Sequence, residues 1–158
     1  KSTLVKSWHS ATSVGDESIL LSKVAPTWIG SDRNNSSKLA KKEGADCLIM
    51  DDGFQNPTIQ KDFSIVVINA AQEFGNKRVI PSGPLRESIN RGLSRTNLII
   101  AVGEISNEIK QIIQEYSKKI PIYMLNPIAE LIQSSQLVIT ITPEGWAPST
   151  IILESMVI

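Results

Sequence analysis

Residues 63–68, Phe-Ser-Ile-Val-Val-Ile, constrain this chain more than any other stretch. Branching at Cβ freezes the side chain in a helix but packs well on a pleated surface, so a run of β-branched residues specifies a strand. The run is continuous rather than alternating, which is the pattern of a strand covered on both faces, near the centre of a mostly parallel sheet. Weaker runs of the same kind at 47–50, 98–102 and 121–125 predict companion strands. Residues 24–29 predict a short strand despite Pro26, and 137–141 another.

Helical patterns separate these runs. Ile19, Leu20 and Val24 recur at helical spacing and predict a helix over 17–23, with Asp16 placed to cap its free amides. Residues 31–35 read as a polar loop, 36–43 as a helix closed by Gly44, and Ser106 as the cap of an amphipathic helix over 106–118. In that last helix Ile109, Ile112, Ile113 and Tyr116 share one face. Strands alternating with helices on short connections predict an α/β doubly wound fold, a mostly parallel sheet with helices on both faces. The first dozen residues show neither period, and no repeat or linker divides the 158 residues, so a single domain is expected.

Composition excludes several roles. Sixteen basic residues balance sixteen acidic ones, so no global field draws the chain to nucleic acid, and an anion must be bound locally. No apolar run approaches the ~18 residues that span a bilayer. The one cysteine, Cys47, lies in an apolar run and reads as a buried thiol, and the one histidine, His9, lies in the irregular leading segment without a catalytic context.

Ligands of open α/β sheets bind beyond the carboxyl ends of the strands, where helix amino termini also point. Three polar clusters fall at such places. Asp51-Asp52-Gly53-Phe54-Gln55 follows the strand at 47–50 directly, as a Walker-B carboxylate does on its way to Mg²⁺; a simple Asp-Gly turn is the competing reading. Pro81-Ser82-Gly83-Pro84-Leu85-Arg86-Glu87 holds an Arg and a Glu on a stiff loop, where a guanidinium fork suits phosphate oxygens and Glu87 can orient it or reach metal-bound water. A surface ion pair is the alternative there. Gly15-Asp16-Glu17 supplies either a helix cap or a carboxylate able to activate a hydroxyl. Neither G-x-x-x-x-G-K-[ST] nor G-x-G-x-x-G occurs.

Taken in order, Val14-Gly15-Asp16-Glu17, Asp32-Arg33, Asp51-Asp52-Gly53-Phe54-Gln55, Lys61-Asp62-Phe63 through Asn69, Gly75-Asn76 and 81–87 resemble the tetraacyldisaccharide 4′-kinase family. The resemblance runs from Ser13 to Val102 and implies a partial P-loop kinase domain, with a family-like core over 13–126 and a divergent tail over 127–158. It implies transfer of the γ-phosphoryl group of ATP, with Mg²⁺, to the 4′-hydroxyl of a tetraacylated, lipid-linked disaccharide 1-phosphate at the cytoplasmic face of the bacterial inner membrane. Any membrane contact is expected through segments outside these residues. Asp16 would accept the hydroxyl proton, Asp51, Asp52 and Glu87 would organise the metal, and Arg86 with Glu87 and Gln55 would hold the nucleotide. Arg33 and Asn56 would meet the sugar. Asn56, Ser82 and Ser88 stand where the family usually carries His, Ala and Pro, the family's P-loop is expected upstream of Lys1, and a later histidine that assists the catalytic Asp has no counterpart. A non-catalytic remnant of such a kinase, or an unrelated α/β module for a small anion, are the competing interpretations.

Overall fold

Local capping chemistry determines where the elements begin and end. The computed structural model describes residues 1–116, 119–125 and 151–155, the last as backbone only. They form two compact units: one holds Lys1–Leu48 and Asn56–Gln60, the other Ile49–Gln55 and the described residues from Lys61 onward. The strand expected over 137–141 lies outside the described residues.

In the first unit β1 (Thr3–Leu4) pairs antiparallel with β2 (Trp28–Ile29), so the aperiodic leading segment contributes a strand after all. Helices α1 (Ala11–Val14) and α2 (Asp16–Ser22) are separated by Gly15, whose φ of 86° is strained for any side chain. Asp16 is the first residue of α2 rather than its cap; its carboxylate accepts the Glu17 N–H at 3.0 Å from within the first turn. Val24 and Ala25, expected in a strand, extend that turn by bonding back to the Leu21 carbonyl at 2.9 and 3.0 Å, so the strand shrinks to β2. The expected polar loop also gives way to helix: α3 (Arg33–Lys42) starts there, with Asp32 as its cap accepting the Asn35 N–H at 3.0 Å. Gly44, at φ 95°, closes α3 as expected. Its N–H reaches the Lys41 carbonyl and that of Ala45 reaches Ala40, the paired bonds of a Schellman motif.

The second unit is a five-stranded sheet. Its strands are β3 (Ile49–Met50), β4 (Phe63–Asn69), β5 (Leu98–Val102), β6 (Ile122–Leu125) and β7 (Ile151–Ser155), in the order β3-β7-β4-β5-β6, every pairing parallel. β4 is central, as its composition requires, and Ile65, Val66, Val67 and Ile68 are all buried. β3 corrects an expectation: the 47–50 run is not covered on both faces, because among the described residues β3 is an edge strand paired only with β7, and Ile49 is 56% exposed while Met50 is buried. Cys47 is half-buried and free rather than fully buried. β7 is a strand that the sequence reading did not anticipate.

Val66 and Ile68 of β4 face the same way as Ile99 and Ala101 of β5, since the register pairs Val66 with Ile99 and Ile68 with Ala101. On that face they join Leu93 of α4 (Ile89–Leu93) and Ile109 and Ile113 of α5 (Asn107–Tyr116), with Phe54, Phe74, Leu85 and Ile105, in one core. Ser106 caps α5 as expected, accepting the Ile109 N–H, and Glu73 accepts the Ser106 N–H at 2.6 Å to fix the cap to the loop after β4. The mixed α/β class with a parallel sheet therefore holds.

Candidate functional site

β3 ends at Met50, and the chain turns at once through Asp51, Asp52 and Gly53. Asp52 takes a φ of 48°, a left-handed conformation that Asp tolerates better than most residues but that still costs energy, so its surroundings must hold it. Both Asp51 and Asp52 are exposed, while Gly53 and Phe54 are buried and anchor the turn in the core.

The 81–87 cluster is held just as firmly. Ile80 donates its N–H to the Leu85 carbonyl at 2.9 Å and Leu85 returns one to the Arg78 carbonyl at 3.1 Å, closing the loop on itself around a cis Ile80-Pro81 bond. Gly83 has no room for a side chain: an added Cβ would stand 2.1 Å from Asn76 Oδ1 and 2.4 Å from the Arg78 carbonyl oxygen. Asn76 in turn donates Nδ2 to the Ser82 carbonyl at 2.8 Å. Ser88, where the resembled family usually has Pro, does the equivalent job of starting a helix, accepting the Arg91 N–H as the cap of α4.

The two clusters meet. Arg86 donates from Nη1 to Asp52 Oδ1, and Gln55 Nε2 donates to Glu87 Oε1 at 3.1 Å. The Arg86–Asp52 pair is half exposed, so its contribution to stability is small, ~0–1 kcal/mol. Its importance is geometric, since it places a guanidinium beside a carboxylate at the carboxyl end of the sheet. Glu87 is buried at 9% exposure and grips Arg95 with both oxygens, Nη1 to Oε2 at 2.8 Å and Nη2 to Oε1 at 2.6 Å. The Arg95 fork holds the Glu87 carboxyl below the ordinary range despite the opposing effect of burial, and Gln55 and Arg91 add to the lowering.

Arg95 is the residue that sequence reading missed. Its guanidinium also covers the Phe54 ring, 4.6 Å from the centroid, and donates to the Arg91 carbonyl at 3.0 Å. The available signal was the spacing Glu87, Arg91, Arg95, which repeats at four residues.

Glu87, expected to help organise the metal, turns both its oxygens to Arg95, and among the described residues no three His, Cys, Asp or Glu side chains gather as a metal cage. Asp51 and Asp52 still suit Mg²⁺, a hard cation that takes one or two carboxylates and completes its shell with phosphate and water. Asp16, exposed, Arg33, half-buried at the start of α3, and Asn56 belong to the other unit. Asn56 folds its side chain into a local turn, accepting from the Thr58 N–H at 2.9 Å and hydroxyl at 2.6 Å.

With this geometry in view, the sequence comparisons are specific. The family model described as Tetraacyldisaccharide-1-P 4′-kinase matches residues 1–141. The chain belongs to that family. The match starts ahead of Ser13 and runs past the helix at 107–116, beyond the span of the recognised motifs. Curated relatives named tetraacyldisaccharide 4′-kinase include that of Jannaschia sp. (strain CCS1), 52% identical over 95 residues, which are 60% of this chain and 29% of that protein. That of Dinoroseobacter shibae is 50% identical over 95 residues, 60% of this chain and 28% of the relative. That of Rhodospirillum rubrum is 45% identical over 101 residues, 64% and 30% respectively. The chain thus spans under a third of the length of the kinases it matches. No solved structure matches it. Among the described residues no helix is long and apolar enough to cross a membrane.

Proposed function

We propose that this chain carries the metal-organising part of a kinase that moves the γ-phosphoryl group of ATP to the 4′-hydroxyl of a tetraacyldisaccharide 1-phosphate, in lipid A biosynthesis at the cytoplasmic face of the inner membrane. The observation that carries the reading is the junction of the 51–55 turn with the 81–87 loop through Arg86 and Asp52, and through Gln55 and Glu87. It joins carboxylates and a guanidinium at the end of parallel strands, where α/β proteins bind phosphate.

Phosphoryl transfer asks little covalent chemistry of a protein, so rate comes from positioning and from charge placed where charge develops. Asp51 and Asp52 would hold Mg²⁺, which would supply neutralisation of the phosphate charge. Arg86 would exchange its contact with Asp52 for phosphate oxygens, which its planar fork can meet with two donors. Gln55, anchored by Glu87, lines the nucleotide side. Asp16, exposed at the start of α2, takes the proton of the attacking hydroxyl, and Arg33 and Asn56 bind the sugar. We propose, too, that the sheet is doubly wound and that 1–158 folds as one part of a larger P-loop kinase domain.

Phosphate cradling by a P-loop is absent from these residues, and backbone amides with a lysine normally supply most of it. The 158-residue chain alone is therefore expected to bind MgATP more weakly than micromolar. Calorimetry reads this directly, and micromolar affinity would contradict the division of labour. In the full gene product, Asp52→Asn and Arg86→Met should each lower kcat at least about a hundredfold, as loss of a charge-stabilising group does elsewhere; kcat within about twofold of the parent would overturn the assignment.

A further inference from the structure

Arg95 and the groups it grips form a polar assembly in which the phosphoryl-transfer reading gives Arg95 itself no part. Arg95 touches three parts of the second unit at once. It forks onto Glu87 at 2.8 and 2.6 Å, donates to the Arg91 carbonyl at 3.0 Å, and lies 4.6 Å from the centre of the Phe54 ring. The contacts with Glu87 and Phe54 lead back to the turn that bears the two aspartates. Phe54 is 2% exposed and only two residues beyond Asp52. Glu87 accepts from Gln55, three residues beyond Asp52, and directly follows Arg86, which pairs with Asp52 itself.

Asp52 sits at a φ of 48°, a conformation that persists only where the surroundings over-determine it. On the turn's exposed side the Arg86–Asp52 pair adds little restraint, because it is half in solvent. Its buried side offers much: the Phe54 ring under a guanidinium, and the Gln55 amide on a carboxylate that is itself locked by two parallel bonds.

We propose that Arg95 is a positioning residue of the phosphoryl-transfer site: gripping Glu87 and covering Phe54, it fixes the 51–55 turn so that the Asp51 and Asp52 carboxylates stand ready for a divalent cation. The inference rests on the reading of those two carboxylates as the metal-holding pair. Lysine cannot replace Arg95 fully, since an ammonium offers no planar fork for both Glu87 oxygens and covers an aromatic face less well. Residues that support metal ligands from behind typically cost about 10–100-fold in metal affinity when replaced.

The test is an Mn²⁺ titration followed by electron paramagnetic resonance on the purified chain and its Arg95→Met and Arg95→Lys variants, at a temperature where circular dichroism shows each one folded. Arg95→Met should weaken Mn²⁺ binding at least about tenfold and Arg95→Lys by a smaller factor, in line with that range. In the full gene product kcat should fall in the same order while KM for the disaccharide stays put. If Arg95→Met fails to fold, Arg95→Lys, which keeps a cation beside Glu87, decides alone. Mn²⁺ affinity equal to the parent's in the folded variants would overturn the proposal and leave the aspartate assignment standing. A parent chain that binds no Mn²⁺ would overturn the aspartate assignment, and this inference with it.

Discussion

Removing the arginine and removing the carboxylate of the Glu87–Arg95 pair should have unequal costs, and the inequality follows from burial. Glu87 is 9% exposed, whereas the Arg95 side chain is 37% exposed and can turn partly to water. Arg95→Ala strands a buried carboxylate with only the Gln55 amide at 3.1 Å and Arg91 Nε at 3.7 Å, and stranding one member of a buried pair costs about 3–5 kcal/mol. The residual partners place this case at the lower end, about 3 kcal/mol. Glu87→Gln keeps the shape, retains one acceptor for Arg95 and lets its charge find solvent, so the loss of one of the two charge-assisted bonds should cost only about 1.5–2 kcal/mol. The double variant should cost less than the sum of the two, because each single loss leaves behind a partner that the other removes. Native-state hydrogen exchange at Ile65 to Ile68 and at Ile99 to Ala101 reads the opening of this sheet specifically. About 3 kcal/mol corresponds to roughly a hundredfold faster exchange there, and about 1.5 kcal/mol to roughly tenfold. Equal acceleration by the two single variants, or strict additivity in the double, would refute the claim that Glu87 is the buried, dependent member of the pair.

Acid should remove the same contribution. Because the folded state holds the Glu87 carboxyl below its ordinary value of 4.5, the stabilisation is complete above that pH and fades as pH falls through the lowered value; Glu87→Gln should flatten that part of the stability profile, measured by urea unfolding from about pH 7 downward. Gly83→Ala should disrupt the 76–87 loop, since its Cβ would overlap Asn76 Oδ1 and the Arg78 carbonyl. Faster proteolysis within the loop checks this, and an unchanged rate would contradict the close packing. Asp32→Ala removes the cap of α3 and should destabilise the first unit by about 1 kcal/mol, seen as faster exchange at Ser36 and Leu39 with no change at Ile99.

Sequence reading succeeded where one residue type has one physical use. Buried β-branched runs became β4 and β5, Ser106 became the cap of α5, and Gly44 adopted the positive φ that closes α3. It failed where the outcome depends on a partner distant in sequence. The run at 47–50 is as apolar as a central strand, but β3 borders only β7, so Ile49 is left exposed. Residues 151–155 carry a short apolar run that length alone could not separate from helix or loop, and pairing with both β3 and β4 makes it a strand. Asp16 and Asp32 precede similar helical patterns, yet one enters its helix and the other caps. In the candidate site the aspartates, Gln55 and Arg86 were legible as motifs, because charged residues on stiff turns stand out in the chain. The Glu87–Arg95 contact was hinted at only by the four-residue spacing of 87, 91 and 95, and nothing in that spacing announces a ring beneath the Arg95 guanidinium.

Transfer of labelled phosphate from ATP to tetraacyldisaccharide 1-phosphate by the full gene product, with the product read by ³¹P NMR, tests the central assignment most directly. A new phosphomonoester at the 4′ position, lost when Asp52 is changed to Asn, is the predicted result. Transfer that persists unchanged in Asp52→Asn, or phosphate appearing at another hydroxyl, would contradict it.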